Sequence, residues 1–366
     1  MIRRQLINFP SRSIDYRVGL GAFDELPRML TSAVGRPKRA LLVARADALE
    51  VHGETVRRSL TDAGFAFEEL TFAADEALCD LAHADALFSA LGAANITCDD
   101  LIVALGDMDV CSLVSWASGM WCGRTECALI PVTFDAMVCC ATSMTPLAAS
   151  GSEGLIALRP EPAVVVCDLD LVRAASHEDL RMGYVRLVGT ILSSSRSRWN
   201  QFLETIPDIL AGEEVALLNC LQWAQSARKD VLTATNPSAQ HALHFGEAGA
   251  RALKTLLGDA LEPWQLLAEG MRFEARLAHD ACDFDVDEVF ELDDCLDDLG
   301  VEEAAFSLEP AAFVEAFHRE HFRRSNRMML PLPACAGAIR LAVVEDEVLE
   351  RHAEAYLASR AELLEE

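Results

Sequence analysis

Residues 101–117 read LIVALGDMDVCSLVSWA, and their order decides the fold. LIVAL is a short continuous apolar run, the signature of a strand buried on both faces. Gly106 follows as a turn residue, with Asp107 and Asp109 close behind, and an apolar-rich stretch over 113–120 continues as a helix. Strand, glycine turn and helix make one half of a βαβ unit. Working outward, the same alternation recurs on both sides. Buried or half-buried strands are expected at 39–43 (RALLV), 65–72, 100–105 (DLIVAL), 128–132 (ALIPV) and 163–167 (AVVVC), with helices at 51–63, 76–93 and 113–120. Residues 1–175 therefore read as an α/β, Rossmann-like domain with a mostly parallel sheet.

Beyond residue 176 the period changes to that of helices. Helices are expected at 178–195, 199–203, 213–231, 242–257, 263–281, 301–306, 310–323 and 343–360, so 176–366 reads as an α-helical domain. Ser176 stands as an N-cap before Glu178 and Asp179, which suits the unpaired amides and the positive end of the helix dipole. Residues 283–298 carry nine carboxylates and read as a helix-loop-helix with a solvated face. No internal repeat or low-complexity segment is visible.

Composition narrows the function. The 366 residues carry 31 Lys plus Arg against 58 Asp plus Glu, a net charge of −27, which argues against broad contact with nucleic acid or an anionic membrane. Hydrophobic residues at 51% and charged residues at 24% are values of a folded globular chain rather than a disordered one. No apolar run reaches the length of a membrane span, and the start lacks the apolar core of a signal peptide. Twelve cysteines without a C-x-x-C do not form a secreted disulfide framework, so a reducing cytoplasm is expected. Cys167 and Cys220 sit in apolar runs and read as packing residues.

The strings themselves resemble those of 3-dehydroquinate synthase and the wider sugar-phosphate cyclases. Residues 101–117 look like the family's strand, glycine-rich turn and helix, and 130–133 (IPVT) like its next strand end. Residues 163–183 (AVVVCDLDLVRAASHEDLRMG) resemble the segment where its helical domain begins. Residues 243–253 (LHFGEAGARAL) and 266–271 (LLAEGM) match the frames of its two histidine motifs. Iron-type alcohol dehydrogenases share the architecture, but the spacing favours the cyclases. The resemblance implies a dehydroquinate synthase-like fold whose two domains meet at a cleft. It also implies a homodimer, or a pairing with a related protein.

Carried over residue by residue, the resemblance implies a site stripped of its inherited chemistry. The family holds a divalent metal with one glutamate and two histidines. The glutamate position, three residues after Gly183, holds Arg186; the first histidine, after Phe245-Gly246, is Glu247; the second is Pro263. Another histidine of the first motif corresponds to Arg251. Zinc takes imidazole, thiolate or carboxylate donors, so no metal is expected. In the dinucleotide turn, Asp107-Met108-Asp109 follows Gly106 where the family has further glycines. At about 4 Å and an effective dielectric near 20, each aspartate repels a phosphate charge by roughly 4 kcal/mol. Two such terms, halved for screening, offset about half of the roughly 8 kcal/mol of a micromolar affinity. The acid used on the adenosine side corresponds to Arg45. The Gly-Glu-x-x-Lys of the family matches 75–79, keeping Glu76 but ending in Cys79. Its Asp-x-x-x-Gly-Gly-Lys matches 139–145 (CCATSMT), with Cys139 for the acid and Thr145 for the lysine, and a further lysine falls at Ser152. The chain has three lysines in all, Lys38, Lys229 and Lys254, so no bound NAD is expected either.

The retained residues, Gly106, Pro131, Thr133, Gly183, Phe245, Gly246 and Gly270, are those a framework needs. The expectation is a pseudoenzyme: a non-catalytic binding or scaffolding relative. The alternative is a repurposed enzyme, free of metal and NAD, acting on a small anionic substrate in a biosynthetic pathway; a cyclase with an unusual site stands third. Candidate cleft residues are Asp107, Asp109, Arg186, His244, Glu247 and Arg251, with Cys139, Cys140 and Asp135 as catalytic candidates. Arg186 and Arg251 have the fork geometry to clamp a carboxylate or phosphate, or to bridge to Glu247 and the loop aspartates. A nucleophilic role for the adjacent cysteines needs a nearby cation to lower a thiol pKa. The pairs Cys122/Cys127, His318/His321 and His241/His244 lack the partners of a metal site, and Ser193-Ser194-Ser195 reads as a helix end.

Overall fold

The computed structural model describes residues 2–36, 38–149 and 155–365; Ser152 lies outside them. The chain forms two compact units, Met1–Gly183 with Gly212–Gln225, and Tyr184–Ala211 with Ser226–Glu366.

The first unit is built on a seven-stranded sheet. Its strands are β1 (Arg3–Asn8), β2 (Ser13–Gly19), β3 (Arg39–Arg45), β4 (Ala66–Phe72), β5 (Leu101–Gly106), β6 (Glu126–Pro131) and, after the small hairpin β7 (Thr145–Leu147) and β8 (Ile156–Leu158), β9 (Val164–Asp168). The order is β1-β2-β9-β6-β5-β3-β4, parallel throughout except for β1 against β2. Every residue of β5 is buried, because helices cover both faces of a parallel sheet. Leu42, Val103, Ile130 and Val166 pack there against Leu26, Met29 and Leu30 of α1 (Leu26–Val34), and Val56 and Leu60 of α2 (Ala46–Asp62).

Helices α3 (Leu81–Ala93), α4 (Met108–Met120), α5 (Phe134–Cys139) and α6 (Leu169–Ala174) complete the connections. Chain order reverses beside β3: β4 lies on one side of it and β5 on the other. Such a switch point opens a crevice at the carboxyl ends of the two strands. Here those ends are Arg45 and Gly106. The helix expected from residue 76 begins at Leu81, because the Asp80 side chain accepts the His83 amide at 2.8 Å and caps it there. Strands β1 and β2 escape the sequence reading: only Ile7 is buried in β1, and charged residues interrupt both.

Helices α7 (His177–Leu192) and α9 (Glu214–Leu232) run through the unit boundaries, with α8 (Arg196–Leu210) between them. The second unit continues with a 3₁₀ turn at Pro237–His244, then α10 (Glu247–Leu257), α11 (Pro263–Cys282), α12 (Val286–Asp298) and α13 (Pro310–Phe322). A hairpin of β10 (Met329–Pro333) and β11 (Ile339–Val343) precedes α14 (Asp346–Glu362). Three expectations are corrected here. The single helix expected over 242–257 is broken at Gly246, whose φ of +85° ends the 3₁₀ turn before α10 starts. Residues 301–306 form no helix; the Val301 carbonyl accepts Arg272 and the Ala304 amide donates to Glu269, so long-range partners claim these backbone groups. The acidic stretch is one helix, α12, and its face is not simply solvated. Asp293 is buried against Arg276 at 2.8 Å, and Asp297 meets Arg272 at 2.7 Å.

Candidate functional site

At the switch point of the first unit, Arg45 ends β3 and Asp107 follows β5. The Arg45 Nε donates to Asp107 at 2.7 Å, and Nη2 lies 3.6 Å from Asp109. Its Nη1 donates to the carbonyls of Ala73, Ala74 and Glu76 at 2.8–3.0 Å. Asp107 also accepts the Val110 amide at 3.1 Å, capping α4. A helix N-terminus beside a glycine turn is where a pyrophosphate docks in Rossmann-like folds, because free amides and the dipole attract it. Here the helix brings its own carboxylate, and a guanidinium with 6% exposure neutralises it. The aspartates therefore do not act mainly by repulsion, as the bare sequence suggests. They occupy the amide end and hold Arg45 in the crevice. Burial raises the Asp107 pKa from its ordinary value, against the opposing Val110 amide and Arg45 charge. Cys79, at the missing lysine, rests its thiol 3.5 Å from an Asp109 oxygen.

In the second unit, Glu247 opens α10 and collects two guanidiniums and an imidazole. Arg186 of α7 approaches at 3.5 Å, Arg251 one turn along α10 at 3.2 Å, and His244 at 2.9 Å. Burial pushes the Glu247 carboxyl upward, but His244, Arg186 and Arg251 outweigh it and hold the group well below the usual carboxylate range. The same Glu247 charge raises the His244 pKa. Buried Arg228 of α9 donates to Thr190 of α7 at 3.0 Å and adds positive potential at His244. Arg324, just past α13, pairs with Glu320 at 3.2 Å, and the proximity of Arg251 lowers its pKa further after desolvation has done so. Pro263 starts α11 as an exposed residue and offers no donor atom.

A divalent ion placed about 5 Å from one guanidinium meets a repulsion of roughly 7 kcal/mol at an effective dielectric of 20. With Arg186 and Arg251 both on Glu247, these residues do not fit a metal. Among the described residues, no three His, Cys, Asp or Glu side chains converge as a ligand set. His318 meets Asp346 and His321 the Arg327 carbonyl, so the two histidines of α13 do not share a target.

Glu274 was not signalled by the sequence, although it stands one turn beyond Gly270 on an otherwise apolar helix face. It is fully buried and accepts the amides of Gly246, Ala248 and Gly249 at 2.7–3.0 Å, capping α10 from α11. Burial lifts its pKa from 4.5 to about 7 despite those amides. A folded-state pKa above the unfolded value means that the stability is complete below about pH 4.5 and is lost as pH rises through about 7. At about 1.4 kcal/mol per unit, the loss is about 3 kcal/mol. The stability of Glu274→Gln relative to the parent should rise by about that amount between about pH 5 and about pH 8. Urea titrations of both proteins across that range check it; a flat difference would mean that Glu274 ionises freely.

The remaining candidates lie on α5 and at its end. Cys139 and Cys140 are buried at the end of α5, and burial pushes the Cys140 thiol well above its ordinary pKa. Asp135 lies half-buried in the first turn of α5. The retained glycines answer to packing: a Cβ on Gly183 would lie 2.5 Å from the Phe134 ring.

No family model matches the chain. The 3-dehydroquinate synthase of Caulobacter vibrioides (strain NA1000 / CB15N) is 24% identical over 286 residues, which cover 76% of this chain and 77% of that protein. The 2-epi-5-epi-valiolone synthase ValA from Streptomyces hygroscopicus subsp. jinggangensis 5008, solved with NAD+ and Zn2+ bound, has a TM-score of 0.81 at 18% identity, covering 97% of this chain and 99% of ValA. An iron containing alcohol dehydrogenase reaches a TM-score of 0.65 at 14% identity over 94% of this chain and 97% of its own. The difference separates the cyclase fold from its dehydrogenase cousin, as the spacing of the motifs does. By sequence and by fold, this chain is 3-dehydroquinate synthase-like, a relative of the sugar-phosphate cyclases.

Proposed function

We propose that this chain is a non-catalytic, binding relative of the sugar-phosphate cyclases that works without their metal and without a dinucleotide. The observation that carries the reading is Glu247, engaged by Arg186, Arg251 and His244; Glu247 and Arg186 stand at two of the three positions the resemblance gives to metal ligands, and Pro263 at the third. Arg45, locked between Asp107 and three carbonyls at the sheet's switch point, supports the dinucleotide half of it. Both clusters replace an external charged group with internal ion pairs. Twelve free cysteines support a reducing compartment. No helix among the described residues is long and apolar enough to cross a membrane.

The second reading, an enzyme acting on a small anionic substrate, draws on the accessible arginines around Glu247. It draws nothing from Cys139 and Cys140, whose burial favours packing over attack.

Metal analysis of the purified chain and calorimetric titration with NAD test the proposal. The expected results are substoichiometric metal and no NAD saturation up to about 1 mM, a standard free energy weaker than roughly −4 kcal/mol. One equivalent of zinc, or micromolar NAD binding, would overturn it.

A further inference from the structure

Between β4 and α3 the chain passes the switch point as the loop 73–80, and one imidazole ties it down. The Nε2 of His83 lies 2.7 Å from a Glu76 oxygen, and its Nδ1 lies 2.8 Å from an Asp80 oxygen. A neutral imidazole has one N–H, so it donates to one carboxylate and turns a lone pair toward the other. Imidazolium donates to both. A second oxygen of Glu76 accepts the Ala73 amide at 3.2 Å, which closes the loop on itself. The same loop presents the carbonyls of Ala73, Ala74 and Glu76 to Arg45. Its far end is anchored where the Cys79 carbonyl accepts the Ala148 amide at 2.6 Å. His83 is sheltered: its side chain is 17% exposed, and the Phe72 ring of β4 meets it edge-on at 5.6 Å.

We propose that Glu76, His83 and Asp80 form a proton-operated latch that fixes the loop 73–80, and through its carbonyls Arg45, at the switch-point crevice. The latch is closed while His83 carries both ring protons; loss of either breaks one of the two bonds. The charged groups around it are Glu76 of the loop, Asp80 at the cap of α3 and, through Glu76, Arg45 of β3. Asp109 of α4 stands one step away, behind Cys79. The hydrogen bond to Glu76, and then the one to Asp80, raise the His83 pKa against desolvation. The latch is therefore fully closed below the ordinary imidazole value of about 6.5 and released as pH rises through the higher folded value. On the acid side it holds until Glu76 and Asp80 protonate, below their ordinary values. Burial, and then Asp109, push the Cys79 thiol up, so it stays protonated through this range. Burial lowers the His52 pKa, so that imidazole is already neutral. The latch uses only groups of this chain and stands whether or not a dinucleotide enters the crevice.

The test is amide hydrogen exchange of the full chain, read by mass spectrometry on peptides covering 73–83 and corrected for the intrinsic pH dependence of exchange. Protection there, relative to β5, should fall about fivefold between about pH 6 and about pH 9, the size expected for one partly exposed ion pair. Glu76→Gln and His83→Gln should show the low protection already at about pH 6 and no further fall. His241→Gln, on the exposed 3₁₀ turn of the second unit, should keep the parent's dependence. Nitrogen-15 shifts of the imidazoles give the second readout: His83 should carry both ring protons at about pH 7. A parent whose protection at 73–83 does not change with pH overturns the latch. So does a Glu76→Gln chain that falls like the parent, a His241→Gln chain that loses the dependence, or a His83 with a single ring proton at about pH 6.

Discussion

Gly270→Ala should cost this protein about 3–5 kcal/mol and disperse the cluster around Glu247. Helices α10 and α11 touch backbone to backbone. A Cβ on Gly270 would lie 2.1 Å from the Gly246 carbonyl oxygen and 2.7 Å from the Ala250 nitrogen. From the other side, a Cβ on Gly249 would lie 2.9 Å from the Gly270 Cα. Neither neighbour is a side chain that rotates away, so the helices must separate. Separation also pulls Glu274 from the three amides it caps and displaces Glu247 and Arg251, which ride on α10. Urea denaturation gives the magnitude. Gly189→Ala is the control: its Cβ would meet only the flexible end of Met271, at 3.5 Å, and should be close to neutral. Equal losses at the two sites would refute the close-approach account.

The second large effect is expected at Glu269, buried without exposure in the middle of α11. Its carboxylate lies 3.0 Å from the Arg360 Nε and 3.4 Å from the Arg272 Nη1, and it accepts the Tyr356 hydroxyl and the Ala304 amide at 3.0 Å. Arg272 and Arg360 are themselves buried, and Arg360 also stacks on the Tyr356 ring at 4.6 Å. Glu269→Leu removes the negative charge at which two guanidiniums converge, while leaving both out of water. Breaking a buried pair from one side costs about 3–5 kcal/mol; Asp297 at 2.7 Å from Arg272 and Glu303 at 2.6 Å from Arg360 keep part of the compensation, so the lower end of that range is expected. Loosening of α14, which carries Tyr356 and Arg360, should follow, visible as faster amide exchange there than in α10. Arg272→Met added to Glu269→Leu should restore part of the loss, since it removes one stranded charge. If the double replacement is simply additive, the network is not coupled.

The two effects share a cause that also explains how much of the molecule is legible in its residues. The run 101–105, the glycine after it and the helix beyond appear in the structure nearly where the hydrophobic pattern puts them, in β5 and α4. The start of α11 at Pro263 is likewise written locally, since proline fits the first helical turn, where its missing amide is not needed. The acidic stretch misleads, because composition alone cannot distinguish a solvated carboxylate from Asp293, which faces two arginines on α11. Strand β1 is faint because an edge strand of charged and polar residues needs only one face of the sheet to hold it. The hairpin of β10 and β11 falls in a stretch for which the pattern predicts no element, although Pro331 and Pro333 deny a helix its donors there.

Alternation of strand and helix, the turn residues and the kinds of charge available were determined by the sequence alone, since apolar periodicity acts between residues a few places apart. Which charge meets which was decided only in three dimensions. Arg45 and Asp107 are 62 positions apart and meet because the sheet reverses its strand order between β3 and β5. Glu274 reaches Gly246 across 28 positions because glycines let α10 and α11 approach so closely. An ion pair depends on distances of a few ångströms between side chains from separate elements, and only the packing of those elements sets such distances.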